Sequence, residues 1–104
     1  LQLNLALNYG SKAELIQAMN LVVKNKIPIT ESNIEKNLYT NDSPDPDLLI
    51  RTGNTNRLSN FLLWQNAYSE IYFLKKLWPD FTISDYNNIL LNFKKTKRNF
   101  GKIL

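Results

Sequence analysis

Large apolar residues recur at every second position at the start of the chain. Leucines at positions 1, 3, 5 and 7 alternate with Gln2, Asn4, Ala6 and Asn8. A period of two is typical of a β-strand with one apolar face, so we predict a strand over Leu1–Leu7. The turn-forming residues that follow, Asn8 and Gly10, end this pattern.

Helical spacing replaces the alternation from position 11. Ser11 and Glu14 stand three residues apart in the order of a capping box, with Ser11 as N-cap. Apolar residues then recur every three or four positions and predict a helix over Lys12–Lys24. After Pro28, Thr30 or Ser32 is predicted to cap a second helix that ends near Leu38.

Two short apolar runs follow the turn-rich loop 41–46. Leu48–Ile50 is bounded by turn signals and is typical of a buried parallel strand, and Glu70–Phe73 predicts another short strand. Between them, Ser59 is predicted to cap a short helix over Phe61–Trp64. Strands joined by long crossovers indicate an α/β fold, with a mainly parallel sheet and helices on both faces.

The last element is predicted to be an amphipathic helix. Trp78–Phe81 forms a turn, and Thr82 or Ser84 then caps a helix that runs to about Arg98 and stops before Gly101. Its predicted apolar face consists of Tyr86, Ile89, Leu90 and Phe93.

Composition limits the chemistry. The 104 residues contain no Cys and no His, which excludes disulfides, thiolate ligands, a cysteine nucleophile and the commonest general base. The net charge of +4 weakly favours an anionic partner. No apolar run approaches the roughly 20 residues of a membrane span. Because an apolar alternation begins at the first residue, we expect the chain to be part of a longer protein.

Two arginines and a hydroxyl follow the predicted strand over Leu48–Ile50. Ligands of open α/β sheets bind outside the carboxyl ends of the strands, where Arg51 is expected. Together with Arg57, Ser59 and the amides of a helix N-terminus, it could clamp a diphosphate. An equally good alternative is that the arginines form surface ion pairs with Asp45 or Asp47.

A single carboxylate could complete such a site. Glu70 lies near the start of the next strand, and a carboxylate beside a diphosphate suggests Mg²⁺. Spacing alone favours a Glu that faces solvent.

The basic residues Lys94, Lys95, Lys97 and Arg98 are explained mainly by the helix dipole, with attraction to an anionic membrane as the alternative. The aromatic spacing is typical of a core, so we expect no nucleic acid partner.

Several collinear segments resemble the cis-prenyltransferases of the undecaprenyl diphosphate synthase (isoprenyl transferase) type. The segments are LNLALNYGSKAEL at the start, DLLIRTGNTNRLSNFLLWQNAYSEIYF in the middle, LWPDF soon after, and RNFG near the end. They cover nearly the whole chain. The resemblance implies that residues 1–104 form the C-terminal part of a single isoprenyl transferase domain whose N-terminal part is absent.

The resemblance also implies individual roles. Arg51, Arg57 and Ser59 match residues that bind the diphosphate of isopentenyl diphosphate, and Leu58 between them contributes backbone. Glu70 matches a carboxylate that helps hold Mg²⁺. The segment Leu1–Leu7 matches a wall of the tunnel for the growing chain, although plain sheet core would have the same pattern. Core packing or a dimer interface is implied for Trp64, Tyr68 and Phe73.

The family reaction is the condensation of isopentenyl diphosphate with an allylic diphosphate, to give a long polyprenyl diphosphate for the cell-wall lipid carrier. The resemblance implies a Mg²⁺-dependent homodimer in the cytoplasm, in peripheral contact with the inner face of the membrane. The Asp-Gly-Asn-x-x-Trp motif, which supplies the catalytic Asp of the family, is missing from this sequence. We therefore expect the fragment alone to be inactive. A non-catalytic fragment or partner subunit and a general anion-binding module are the alternatives.

Three stretches of the chain depart from the family pattern. Lys12 replaces an arginine after the Asn-Tyr-Gly turn. It keeps the positive charge but lacks the planar guanidinium that can donate two parallel hydrogen bonds. Asn54 and Thr55 replace a Gly-Glu pair before the second arginine. Asn99 stands where the family has the arginine of a C-terminal Arg-x-Gly motif that reaches a partner subunit.

Overall fold

The computed structural model describes residues 1–103, which form two compact units. The first contains residues 1–44 and 58–64, and the second contains residues 45–57 and those from 65 onward. The elements, in chain order, are α1 (Ser11–Lys24), α2 (Glu31–Glu35), β1 (Leu48–Arg51), β2 (Glu70–Phe73), a 3₁₀ turn (Trp78–Asp80) and α3 (Ile83–Lys95).

The first unit is built on the packing of α1 against α2. Its hydrophobic core consists of Ala18, Val22, Ile34 and Leu38, with Leu15 and Trp64 packed against it. The predicted helix over Lys12–Lys24 is confirmed within one residue. The second helix begins as predicted, because the Thr30 hydroxyl accepts from the Asn33 N–H at 3.1 Å, but it ends at Glu35 rather than near Leu38.

The predicted capping box of α1 is wrong. The N-cap residue is Gly10, whose position makes no side-chain cap, and Ser11 is already inside the first turn. The Ser11 hydroxyl is fully buried and accepts a hydrogen bond from the Leu63 N–H at 3.0 Å. A partner distant in sequence has therefore replaced the local partner that the pattern predicted.

Glu14, the other half of the predicted box, is a fully buried carboxylate. It accepts hydrogen bonds from the Tyr9 hydroxyl at 2.5 Å and from the Tyr39 N–H at 2.7 Å. Burial and the bond to Glu14 raise the pKa of Tyr9 to about 12, so the phenol keeps its proton and can donate at neutral pH. Glu14 thus ties the chain before α1 to the segment after α2, and its buried oxygens are satisfied.

The strand predicted over Leu1–Leu7 is not formed in residues 1–103. The segment has no ladder partner, and its four leucines are 75% to 129% exposed. A β-strand needs a neighbour to satisfy its backbone N–H and C=O groups, so an apolar alternation alone does not produce one.

The helix predicted over Phe61–Trp64 is also wrong. The backbone takes left-handed φ angles at Ser59 (49°), Asn60 (62°) and Leu62 (44°). These angles are incompatible with a right-handed helix, and they favour a series of turns instead.

The second unit is built on a parallel pair of strands. Leu48 pairs with Glu70, and Arg51 pairs with Phe73 three residues along. Both predicted strands and their parallel arrangement are confirmed, and with them the α/β class. The two-stranded sheet is the only sheet in the described part of the chain.

The last helix confirms one of its two predicted caps. The Thr82 hydroxyl accepts from the Asp85 N–H, and the Asp85 carboxylate accepts from the Thr82 N–H, so Thr82 and Asp85 form a capping box. On the predicted apolar face, Ile89 is buried, Leu90 and Phe93 are half-buried, but Tyr86 is 45% exposed. The helix ends at Lys95, three residues before the predicted end.

Within residues 1–103, no helix is both long and apolar enough to cross a membrane.

Acid should weaken the start of α3. Hydrogen bonds from Lys76 and Thr82 lower the pKa of Asp85 from its ordinary 3.8 to about 2. The carboxylate therefore stabilises the folded chain fully above pH 3.8, and this contribution is lost as the pH falls towards 2. We expect Asp85→Asn to make unfolding less dependent on pH in this range, as measured by circular dichroism. Asp80→Asn is the matched control, and an equal change in both variants would contradict the assignment.

Candidate diphosphate site

Arg51 is the last residue of β1, and hydrogen bonds hold the chain beyond it against the continuation of β2. The Leu74 N–H donates to the Arg51 carbonyl at 2.8 Å, and the Gly53 N–H donates to the Lys76 carbonyl at 2.7 Å. The Asn54 N–H donates to the Leu74 carbonyl at 3.0 Å. The φ angles of Gly53 (98°) and Asn54 (56°) are both left-handed, so the chain turns sharply here. The start of the loop is therefore fixed.

Arg51 also closes the loop on itself. Its Nη1 donates to the Arg57 carbonyl at 2.7 Å, which brings the backbone of the second arginine to the guanidinium of the first. Arg57 is exposed, so a dissolved anion can reach its side chain. Asp47, one of the alternative partners considered for these arginines, instead pairs with Arg98. The structure thus places the Arg51 guanidinium against the backbone of Arg57, the second arginine of the predicted clamp.

Leu58 and Ser59 follow Arg57 directly and belong to the first unit. Leu58 is half-buried and its carbonyl accepts from the Phe61 N–H at 3.1 Å, whereas Ser59 is exposed. Because no helix forms after Ser59, the helix amides expected as part of the clamp are not available. The hydroxyl is presented by a strained turn instead.

Glu70 does not lie at the same edge of the sheet as Arg51. It pairs with Leu48, at the start of the parallel strands, and its N–H donates to the Asp47 carbonyl at 3.0 Å. Three residues of strand separate this position from Phe73, the partner of Arg51, or about 10 Å. Residues 1–103 contain no group of three acidic, His or Cys side chains that could hold a metal ion. Glu70 therefore lies at the opposite strand end from Arg51, outside any such group.

Arg98 has a contact network that the sequence did not indicate. Its Nη1 donates to Asp47 Oδ1 at 2.6 Å and its Nη2 to the Tyr68 carbonyl at 2.9 Å. Its guanidinium also lies 4.5 Å from the ring centroid of Phe100 and 5.5 Å from that of Phe93. The helix has already ended, so the predicted role of Arg98 at a helix C-terminus is wrong. The side chain instead ties the tail to the starts of both strands.

The other basic residues of the tail and the aromatic residues with predicted packing roles lie in different surroundings. Lys94 and Lys95 lie in the last turn of α3, as the dipole explanation requires. Trp64 packs on the core of the first unit, and its Nε1 donates to Glu35 Oε1 at 3.3 Å. Tyr68 and Phe73 are 59% and 38% exposed.

Residues 1–101 match the model of a prenyltransferase family described as undecaprenyl diphosphate synthase. The chain belongs to this family. It is 48% identical to the isoprenyl transferase of Thermotoga maritima over 105 residues, and 49% identical to that of Fusobacterium nucleatum over 102 residues. These alignments cover 96% and 97% of this chain but only 45% and 44% of the relatives. The chain thus spans less than half the length of the isoprenyl transferases it matches.

Solved structures agree with this membership. A probable undecaprenyl diphosphate synthase from Campylobacter jejuni matches with a TM-score of 0.81 and 43% identity, over 90% of this chain and 44% of that one. A lavandulyl diphosphate synthase from Lavandula x intermedia, solved in complex with dimethylallyl diphosphate, matches with a TM-score of 0.81 and 38% identity, at the same coverage. The α/β fold of the family is therefore shown independently of the motifs.

Removing the Arg98 side chain should release the tail. Arg98→Ala deletes two hydrogen bonds to a half-buried guanidinium and two aromatic contacts, which together are worth about 2 kcal/mol. We expect faster amide hydrogen exchange at Lys102, whose N–H donates to the Asn99 carbonyl. Lys97→Ala, an exposed neighbour, is the control. Equal exchange in the two variants would show that Arg98 does not hold the tail.

Proposed function

We propose that the complete protein containing this chain condenses isopentenyl diphosphate with an allylic diphosphate. The product is a long polyprenyl diphosphate of the undecaprenyl type, which serves as a lipid carrier in cell-wall synthesis. The observation that carries the proposal is the closed loop after β1, in which Arg51 binds the backbone of Arg57. This loop occurs in a chain of the prenyltransferase family.

The relatives support the substrate class. Two are named undecaprenyl diphosphate synthases or isoprenyl transferases, and the lavender enzyme was solved with dimethylallyl diphosphate, an allylic diphosphate. The isoprenyl transferases are named for the prenyl group, and the two synthases for a prenyl diphosphate. A clamp of guanidiniums suits its phosphate oxygens, because arginine can donate two parallel hydrogen bonds.

In this proposal, the residues of the loop grip the diphosphate of the incoming isopentenyl unit. Arg51 retains guanidinium donors beyond the one it gives to the Arg57 carbonyl, and Arg57 supplies a second, exposed positive charge. Ser59 adds a hydroxyl, and Leu58 adds backbone groups. The grip acts by positioning: it holds the alkene of the donor next to the allylic carbon from which the other diphosphate departs.

Glu70 is proposed as the contribution of this chain to a Mg²⁺ site. Mg²⁺ is usually bound by one or two carboxylates together with substrate phosphates and water, so a single glutamate fits this ion. When bound, the metal would neutralise charge that develops on the departing diphosphate. Within the sheet, Glu70 stands at the strand end opposite Arg51.

The proposal includes the assembly and location that the family resemblance implies. The complete protein would be a homodimer in the cytoplasm, with Tyr68 and Phe73 among its exposed aromatic residues. The exposed lysines at the end of α3 would attract an anionic membrane surface, where a lipid product leaves.

A non-catalytic fragment or partner subunit that keeps the arginine loop is the second candidate. Such a subunit would keep the fold and bind diphosphate without turnover. An equal affinity for many different polyanions would instead indicate a general anion-binding module.

Arg57 should control the affinity for one substrate only. In a full-length protein that contains this chain, we expect Arg57→Ala to raise the KM for isopentenyl diphosphate by about ten-fold to a hundred-fold, because a hydrogen bond to a charged group is lost. The KM for the allylic diphosphate should stay within about two-fold. Lys97→Ala provides a control for the loss of a positive charge. Equal increases for both substrates would refute the assignment.

Glu70 should control the response to metal. Glu70→Gln keeps the size of the side chain but removes its charge, so the Mg²⁺ concentration for half-maximal turnover should rise by about ten-fold. Glu31→Gln, which changes an exposed glutamate on α2, is the matched control. A metal titration identical to that of the unaltered protein would reject a metal role for Glu70.

A further inference from the structure

Asn60 caps the N-terminus of α1 from a distant part of the chain. Its carbonyl accepts from the Ser11 N–H at 2.8 Å, and its Oδ1 accepts from the Lys12 N–H at 2.9 Å. The first N–H groups of a helix have no partner inside the helix and must be satisfied from outside. Asn60, which is 48 positions away from Lys12, therefore satisfies helix N–H groups that the local sequence of α1 does not cap.

A reciprocal bond returns from the helix to the same segment. The buried Ser11 hydroxyl accepts from the Leu63 N–H at 3.0 Å. Segment 60–63 is thus attached to the first turn of α1 at both of its ends. Both partners belong to the first unit, together with Ser59.

Gly10 makes this close approach feasible. A Cβ built on Gly10 would lie 3.0 Å from Asn60 Nδ2, a distance at which one of the two must move. The φ of Gly10 is −143°, so any residue could adopt its backbone conformation. The requirement for glycine at this position is therefore one of space, and the space is filled by the Asn60 amide.

The bonds to α1 hold a strained turn. Ser59, Asn60 and Leu62 all have φ between 44° and 62°, in the left-handed region. This region costs about 1 kcal/mol or more for each non-glycine residue, and asparagine tolerates it better than serine or leucine. Such conformations persist only where surrounding contacts fix them, and they cluster at functional sites.

We propose that Asn60 is a positioning residue for the isopentenyl diphosphate site. By anchoring the turn to α1, it holds Ser59 in a left-handed conformation and so fixes where the serine hydroxyl and the preceding backbone stand. Asn60 acts through Ser59 and does not itself need to contact the substrate. This inference rests on the proposed function of Ser59 and its neighbours.

The test separates the Asn60 side chain from its backbone. Asn60→Gly keeps the left-handed φ and the carbonyl bond from Ser11 but loses the oxygen that caps Lys12. In a full-length protein that contains this chain, we expect it to raise the KM for isopentenyl diphosphate about five-fold, as befits one lost hydrogen bond. The KM for the allylic diphosphate and kcat should stay within about two-fold of the unaltered values. If turnover is absent, titration calorimetry with isopentenyl diphosphate should show the same five-fold loss.

Two further variants approach the same contact differently. Gly10→Ala crowds the Asn60 amide and should raise the same KM, whereas Asn60→Ser restores a side-chain acceptor and should recover part of the loss. Asn20→Ala, an exposed asparagine on the same helix, is the control for substitution itself.

The outcomes distinguish this inference from the proposed function. If Arg57→Ala raises the KM for isopentenyl diphosphate but Asn60→Gly and Gly10→Ala do not, Asn60 is not a positioning residue and the proposed function stands. Equal increases of both KM values in Asn60→Gly, with a lowered unfolding free energy, would also overturn the inference, since they would indicate general destabilisation. If Arg57→Ala is without effect, the proposed function fails first.

Discussion

The parallel pairing of β1 with β2 determines which groups of the second unit can meet at a ligand. Parallel strands end at the same edge, so Arg51 at the end of β1 stands beside Phe73 at the end of β2. The chain beyond both strands stays hydrogen-bonded through Gly53, Asn54 and Leu74. This extension carries the loop to Arg57, and the same register leaves Glu70 at the opposite end. The proposed diphosphate grip and the proposed metal ligand are therefore separated by the length of the strands.

The elements that the sequence predicted correctly depend on local information. Leu48–Ile50 and Glu70–Phe73 are short apolar segments between turn formers, and Thr82 has its capping partner three residues away. The failures required distant partners. Ser11 bonds to Leu63, 52 positions away, rather than to its neighbours. The leucines of the first segment have the pattern of a strand but no neighbour to pair with in residues 1–103.

The same distinction applies to the candidate site. From the sequence, two arginines and a serine after a predicted strand could be proposed as a clamp, because residue type and strand position both point to an anion. The supporting residues could not. Asn60 and Arg98 bind partners 48 and 51 positions away, and no local sequence motif predicts either contact. For Asn60, a signal did exist in hindsight: asparagine is the non-glycine residue that best tolerates a left-handed turn.

The contacts that fix the proposed diphosphate grip and the ligands of the proposed metal come from different parts of the protein. The arginine loop is fixed by bonds to residues 74–76, and the turn at Ser59 by bonds to the start of α1, all within residues 1–103. Glu70 stands at the start of β2, and a metal proposed there would take its other ligands from the substrates, from water or from the rest of the protein. Under the proposed roles, diphosphate affinity and turnover are separable. A chain that retains the loop and the cap of α1 would then bind diphosphate even where turnover is lost, and a binding measurement would be as informative as an assay of prenyl transfer.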